Sequence, residues 1–129
     1  MLYQILPNDV PKYWDLVRET LARSPSDRSM EEHFHRAREG VSHLLVWDEG
    51  RGVAGVAVVD VFDTKAGKVA FVDAIAGRWI IKQQAFDHLK AWAKNWGCSR
   101  IRGAVPDGLM RKYKEFGFEK TLTVVECEI

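Results

Sequence analysis

Apolar and polar positions along the chain follow two different periods. Near the N-terminus the apolar residues recur at the three- and four-residue spacing of an amphipathic helix: Val10, Tyr13, Trp14, Val17 and Leu21. Residues 43–47 and 53–62 are instead runs of β-branched and aromatic side chains, which are typical of strands. The change of period predicts a chain in which helices and strands succeed one another.

The complete pattern predicts four helices and six strands. We expect the strands over residues 2–6, 43–47, 53–62, 68–75, 100–105 and 118–129. We expect the helices over about 8–24, 29–39, 81–96 and 106–117, the third with Trp92 and Trp96 on its apolar stripe. The order β-α-α-β-β-β-α-β-α-β predicts an α/β (α+β) sandwich in one domain of residues 1–129. Its sheet would be mostly antiparallel, with one β-α-β crossover over residues 68–105.

Composition is that of an ordinary soluble globular protein, with 47% hydrophobic and 29% charged residues. No apolar run approaches the roughly 20 residues of a membrane span, and the N-terminus has no secretion signal, so we expect a cytoplasmic protein. The net charge of +1 argues against a dedicated nucleic-acid binder. Residues 77–120 nevertheless carry 10 Lys/Arg against 4 Asp/Glu, a net +6 that fits either a solvated face or a site for a polyanion.

Three segments of the chain resemble one known family. They are Y-K-E-F-G-F-E at residues 113–119, F-V-D at 71–73 and A-W-A-K-N-W-G-C-S-R-I at 91–101. In this order and at these spacings they resemble the GNAT family of N-acetyltransferases, and the resemblance covers essentially the whole chain. Compact GNAT-like sequences with altered cofactor loops also look like proteins carried by tailed phages.

The resemblance implies that acetyl-CoA binds between the strands at 68–75 and 100–105, with its pyrophosphate at the N-terminus of the helix between them. The implied cofactor-binding residues are Phe71, Val72, Asp73, Gly77, Arg78, Trp79 and Lys82. The family's loop usually reads Q/R-x-x-G-x-G/A, whereas Ile80 and Lys82 stand at the glycine positions of this chain. Two interpretations stay open, namely a loop that still binds coenzyme A and a loop that serves only packing.

Two residues are candidates for the proton transfers of acetyl transfer. By resemblance, Tyr113 would protonate the departing thiolate; the alternative is that it packs on its helix beside Phe116. The family often uses a glutamate on the strand before the loop, and residues 68–70 contain no carboxylate. Asp73 is the nearest candidate for the base, with Asp60 and Asp63 on the preceding strand and turn. The alternative for each of the three is that it is a strand-end or turn residue.

Two classes of function therefore stay open. The first is an acetyl-CoA-dependent N-acetyltransferase that acts on an unknown amine. The second is a non-catalytic GNAT-fold structural or protein-binding module, for example one associated with a phage virion. No metal site is expected, because His33 and His35 are two residues apart on a predicted helix and point to different sides. A homo-oligomer is compatible with either class.

Overall fold

A five-stranded sheet and four helices form the framework of the computed structural model, which describes residues 1–78 and 82–129. The strands are β1 (Leu2–Ile5), β2 (His43–Asp48), β3 (Val53–Thr64), β4 (Gly67–Gly77) and β5 (Cys98–Gly103). The helices are α1 (Val10–Leu21), α2 (Met30–Arg38), α3 (Gln83–Asn95) and α4 (Asp107–Glu115), and a short 3₁₀ turn (Pro7–Asp9) precedes α1.

The sheet has the mixed topology that the sequence predicts. Its spatial order is β1-β2-β3-β4-β5, and the first three pairings are antiparallel. β5 pairs parallel with β4, and α3 supplies the crossover between them. The predicted α+β class, the mostly antiparallel sheet and the single β-α-β unit are thus confirmed.

Helices cover both faces of the sheet, so that the core has two layers. Side chains alternate between the faces along β3: Val56 and Val58 pack with α1 and α2, whereas Ala57 and Val59 pack with α3 and α4. Because both faces are covered, the central strands are apolar on both sides. This explains the continuous apolar run that the sequence shows there.

A β-bulge in β4 changes this alternation next to a carboxylate. Val59 pairs with Val72 but Val58 pairs with Ala74, which leaves Asp73 as the extra residue. Val72 and Ile75 both pack on the α3–α4 layer, and Ala74 packs on the α1–α2 layer. A bulge of this kind redirects a side chain, and here it places Asp73 on the face covered by α1 and α2.

The predicted last strand is wrong, because residues 118–129 form no strand. Leu122, Val124 and Val125 are 77%, 86% and 88% exposed. β-branched residues form a strand only when a neighbouring backbone pairs with them, and the sheet ends at β5. The prediction that Trp96 lies on the core stripe is also wrong: it follows the last residue of α3, is 43% exposed, and packs against His43 at 4.4 Å between ring centres.

No helix in residues 1–78 and 82–129 has the length and apolar character that crossing a bilayer requires.

Candidate functional site

A groove opens on the α3–α4 face where β4 and β5 stop pairing. The last pair is Val72 with Gly103, whereas β4 continues to Gly77. The groove has a volume of about 920 Å³ and lies between β4, α3, β5, α4 and residues 117–122. Apolar side chains such as Val72 and Ile75 line it, together with two basic residues of α3, Lys90 and Lys94. We call it the β4–β5 groove.

Tyr113 of α4 lines the β4–β5 groove and also packs in an aromatic cluster. It is 5% exposed, and its ring makes edge contacts with Phe86 at 5.3 Å and with Phe118 at 5.8 Å between centres. Burial raises the pKa of the Tyr113 phenol, which therefore stays protonated at neutral pH. Tyr113 thus has a packing role, and its location and protonation state also suit a proton donor.

Asp73 lies on the opposite face of the sheet in a cluster of charged side chains. Nη1 of Arg28 donates to Oδ2 of Asp73 at 2.8 Å and to Oδ2 of Asp60 at 3.1 Å. Both aspartates are largely buried, with side chains 15% and 16% exposed. We call this group the Asp60–Asp73 cluster. It could not be read from the sequence, because Arg28 precedes the two aspartates by 32 and 45 residues.

The two aspartates differ in how fully they are engaged. Asp60 also accepts a 2.5 Å hydrogen bond from Oγ of Ser42 and a 3.4 Å bond from Nη2 of Arg36. Asp73 has Arg28 as its only hydrogen-bond partner within the part of the chain that the structure describes. Within the cluster, Asp73 therefore has the larger acceptor capacity left for a ligand. Asp63 is exposed and lies outside the cluster.

His33 of α2 is fully buried beside Asp73, a position that the sequence interpretation missed. Its Nε2 lies 3.2 Å from Oγ of Ser26, and its Nδ1 lies 3.8 Å from Oδ2 of Asp73 without a hydrogen-bond partner among the described residues. Burial lowers the pKa of His33, so the ring is neutral at pH 7. Its spacing of three and four residues from Met30 and Ala37, which both pack inward, was the available signal.

The loop between α1 and α2 closes this face of the site. Ser29 caps α2 in the predicted capping box: its Oγ accepts from the Glu32 N–H at 3.2 Å, and Glu32 Oε1 accepts from the Ser29 N–H at 3.4 Å. Upstream of that cap, the Ile75 N–H donates to Oγ of Ser24 at 2.9 Å. Ser24 thereby covers a backbone donor of β4 beyond the last β4–β5 pair.

Gly77, a predicted cofactor residue, has a structural role at the end of β4. Its φ is +107°, and a Cβ at this position would lie 2.4 Å from the carbonyl oxygen of Ala54. The close approach of β3 therefore requires glycine here, whether or not a phosphate binds nearby.

The other predicted cofactor residues occupy different places. Val72 lines the β4–β5 groove, and Phe71 pairs with Asp60 and Arg102 in the sheet. Arg78 is exposed, and Trp79 and Ile80 lie outside the described residues. Among the described residues of the predicted set, only Val72 therefore lines the β4–β5 groove.

Lys82 precedes α3 and forms an ion pair with Glu49. Glu49 also accepts from Nε1 of Trp47 at 3.2 Å, and the Lys82 contact together with this bond lowers the pKa of the Glu49 carboxyl. Glu49 therefore places a negative charge near the start of α3, where the sequence predicts an anion. The sequence interpretation did not include this carboxylate.

No group of three metal-binding side chains comes together within residues 1–78 and 82–129.

Comparison with known proteins finds relatives by structure alone. No family model matches the chain, and no curated protein matches its sequence. An aminoglycoside acetyltransferase from an uncultured soil metagenomic sample, solved with trehalose, matches with a TM-score of 0.69 and 13% identity, over 100% of this chain and 95% of that one. AAC(6')-Iy, solved with the bisubstrate analogue CoA-S-monomethyl-acetylneamine, matches with a TM-score of 0.69 and 16% identity, over 100% and 97%.

Glucosamine-6-phosphate N-acetyltransferase from Arabidopsis thaliana matches with a TM-score of 0.65 and 16% identity, over 99% of this chain and 97% of that one. At these identities the likeness establishes the fold, and the chain has the GNAT fold. The resemblance drawn from residues 71–73, 91–101 and 113–119 is thereby confirmed at the level of fold.

Proposed function

We propose that this chain is an acetyl-CoA-dependent N-acetyltransferase acting on an amine that is not yet identified. The observation that carries the proposal is the end of β4–β5 pairing at Val72 and Gly103. It opens an apolar groove on the face that holds Tyr113, immediately beside Asp73 on the other face. An acyl donor and an acceptor amine approaching from opposite faces of the sheet would meet at this opening.

The residues of the β4–β5 groove suit coenzyme A in two ways. Its apolar lining matches a pantetheine chain, and its basic residues match phosphates, which the net +6 of residues 77–120 also favours. Acetyl-CoA supplies an acetyl thioester, whose carbonyl carbon is open to attack by a neutral amine. Arg78 and Lys82 would add positive charge near the start of α3, where backbone N–H groups and the helix dipole favour an anion.

Two side chains provide the proton transfers in this proposal. Asp73 accepts a proton from the ammonium form of the acceptor, directly or through water, and so frees the nitrogen lone pair. The new C–N bond forms, the C–S bond breaks, and the phenol of Tyr113 protonates the departing thiolate. The nitrogen loses its second proton as the amide forms, so the reaction releases one proton in all.

A GNAT-fold binding module, for example one of a phage virion, is the second candidate. The exposed apolar residues Leu122, Val124 and Val125 favour it, because several exposed apolar side chains within one short segment are typical of an interaction surface. Ile80 and Lys82 at the glycine positions of the loop favour it as well. Such a surface would also serve a homo-oligomer, and the cytoplasmic location stays a prediction.

Thiol release from acetyl-CoA in the presence of an amine panel tests the proposed function. We expect wild-type turnover with at least one amine, and a Tyr113→Phe variant with turnover lowered by about 10²-fold or more. Tyr13→Phe on α1 is the matched control and should retain wild-type turnover. Equal turnover of the Tyr113→Phe variant and wild type would remove Tyr113 from the mechanism. No thiol release with any amine would favour the binding module.

A further inference from the structure

We infer that the position of Arg28 Nη1, between Asp60 and Asp73, is a subsite for the ammonium group of an aliphatic diamine or polyamine. Arg28 occupies this subsite from within the chain when no such amine is bound. The identification of this amine as the acetyl acceptor rests on the proposed function. The subsite lies on the face of the sheet opposite the β4–β5 groove.

The geometry is that of a site for a single nitrogen atom. Nη1 alone makes both bonds, to Asp60 Oδ2 at 3.1 Å and to Asp73 Oδ2 at 2.8 Å. The other two guanidinium nitrogens of Arg28 bond no described residue. Arginine is suited to planar contacts through two nitrogens, whereas an ammonium directs all its donors from one atom. The site therefore suits an ammonium better than the group that now occupies it.

His33 offers a third acceptor beside the same carboxylate. Its buried Nδ1 has no partner among the described residues and lies 3.8 Å from Oδ2 of Asp73. When Nε2–H donates to Oγ of Ser26, which lies 3.2 Å away, Nδ1 carries a lone pair. A ligand that donates a hydrogen bond here would satisfy a buried polar atom that the chain itself leaves without a partner.

Arg28 can leave this position without a change in the charge of the cluster. It lies on the loop between α1 and α2, and its side chain is 31% exposed. Two carboxylates face two arginines, Arg28 and Arg36, so a bound ammonium would replace one positive charge by another. The open depression beside Arg28 is lined by Glu31 and Glu32 as well as by Arg36 and His35. Because Arg36 is paired with Asp60, the two glutamates would face a second positive charge of the ligand once Arg28 has moved away.

Calorimetric titration of the full chain with 1,4-diaminobutane, without acetyl-CoA, tests the inference. We expect Arg28→Gln to bind the diamine at least about tenfold more tightly than wild type, because the internal competitor is removed. Asp73→Asn should lose binding, and the matched control Arg38→Gln, an exposed arginine at the end of α2, should bind as wild type does. Neutral 1,4-butanediol should not bind any of these proteins.

Binding of the diamine by Arg28→Gln no more tightly than by wild type would overturn the inference, as would equal binding of 1,4-butanediol. If Arg28→Gln does not fold, wild type provides the test: the diamine should shift the side-chain ¹⁵N resonances of His33 but not those of the exposed His88, which lies on α3 on the other face of the sheet. An unchanged His33 would then refute the subsite. Diamine binding without acetyl-CoA binding would support the subsite and refute the acetyltransferase proposal. Acetyl-CoA binding without diamine binding would support the acetyltransferase proposal and refute the subsite.

Discussion

Replacing Gly77 by alanine tests whether glycine is required at this position by the packing of the sheet or by contact with a ligand. The φ of +107° disfavours any side chain and should destabilise the folded state by about 1–3 kcal/mol. The new Cβ would also lie 2.4 Å from the Ala54 oxygen and 2.6 Å from Cα of Gly55, both backbone atoms that move only with β3. Such overpacking adds about 1–3 kcal/mol. We expect Gly77→Ala to lower the free energy of unfolding by at least about 2 kcal/mol.

Gly52→Ala is the matched control for the backbone conformation. Gly52 has a φ of +99°, but no atom lies within 4 Å of the point that a Cβ would occupy, so only the conformational strain applies. Urea unfolding of wild type and the two variants measures how much each substitution lowers the free energy of unfolding. A Gly77→Ala variant no less stable than Gly52→Ala would refute the steric reasoning. If that stable variant also failed to bind acetyl-CoA, Gly77 would be a ligand contact rather than a requirement of the sheet.

Three further predictions concern pH, charge and the C-terminal segment. The native state resists protonation of His33, so the free energy of unfolding should fall as pH drops below about 6.5, by at most about 1.4 kcal/mol per pH unit for this residue. Urea unfolding at pH 7.5 and 5.5 should show a smaller fall for His33→Asn, and an equal fall would contradict the assignment. Glu49→Gln should raise the affinity for acetyl-CoA by up to about fivefold in calorimetry, because it removes a carboxylate near Lys82; weaker binding would contradict this. Deleting residues 121–129 should leave the thermal midpoint within about 2 °C of wild type, because this segment is exposed; a larger drop would show that it stabilises the fold.

The periodicity of apolar residues correctly predicts those helices and strands whose apolar face is buried in the core. Two kinds of local pattern are confirmed: the apolar runs of β2, β3 and β4, and the capping box at Ser29. Each depends only on residues that are close together in the sequence. The prediction of a strand over residues 118–129 is wrong because strand pairing depends on residues that are distant in the sequence. A β-prone segment needs a neighbouring edge, and no sequence pattern specifies that it will find one.

The candidate site was harder to predict than the fold, for a geometric reason. Asp73 is the carboxylate nearest to residues 68–70, but the direction of its side chain depends on a one-residue bulge that shifts the pairing between Val58 and Val59. Arg28 and His33 join it only because α1 and α2 lie across that face of the sheet. Register and layer packing, rather than residue type, bring these groups together.

Calorimetric titration of wild type with acetyl-CoA tests most directly whether the β4–β5 groove is an acyl-donor site. We predict a micromolar dissociation constant, about −8 kcal/mol, with weaker binding by Lys94→Glu in the groove and unchanged binding by Arg38→Glu outside it. No heat and no thermal shift at millimolar acetyl-CoA would contradict the proposed enzyme. Equal weakening by Lys94→Glu and Arg38→Glu would contradict the location of the site.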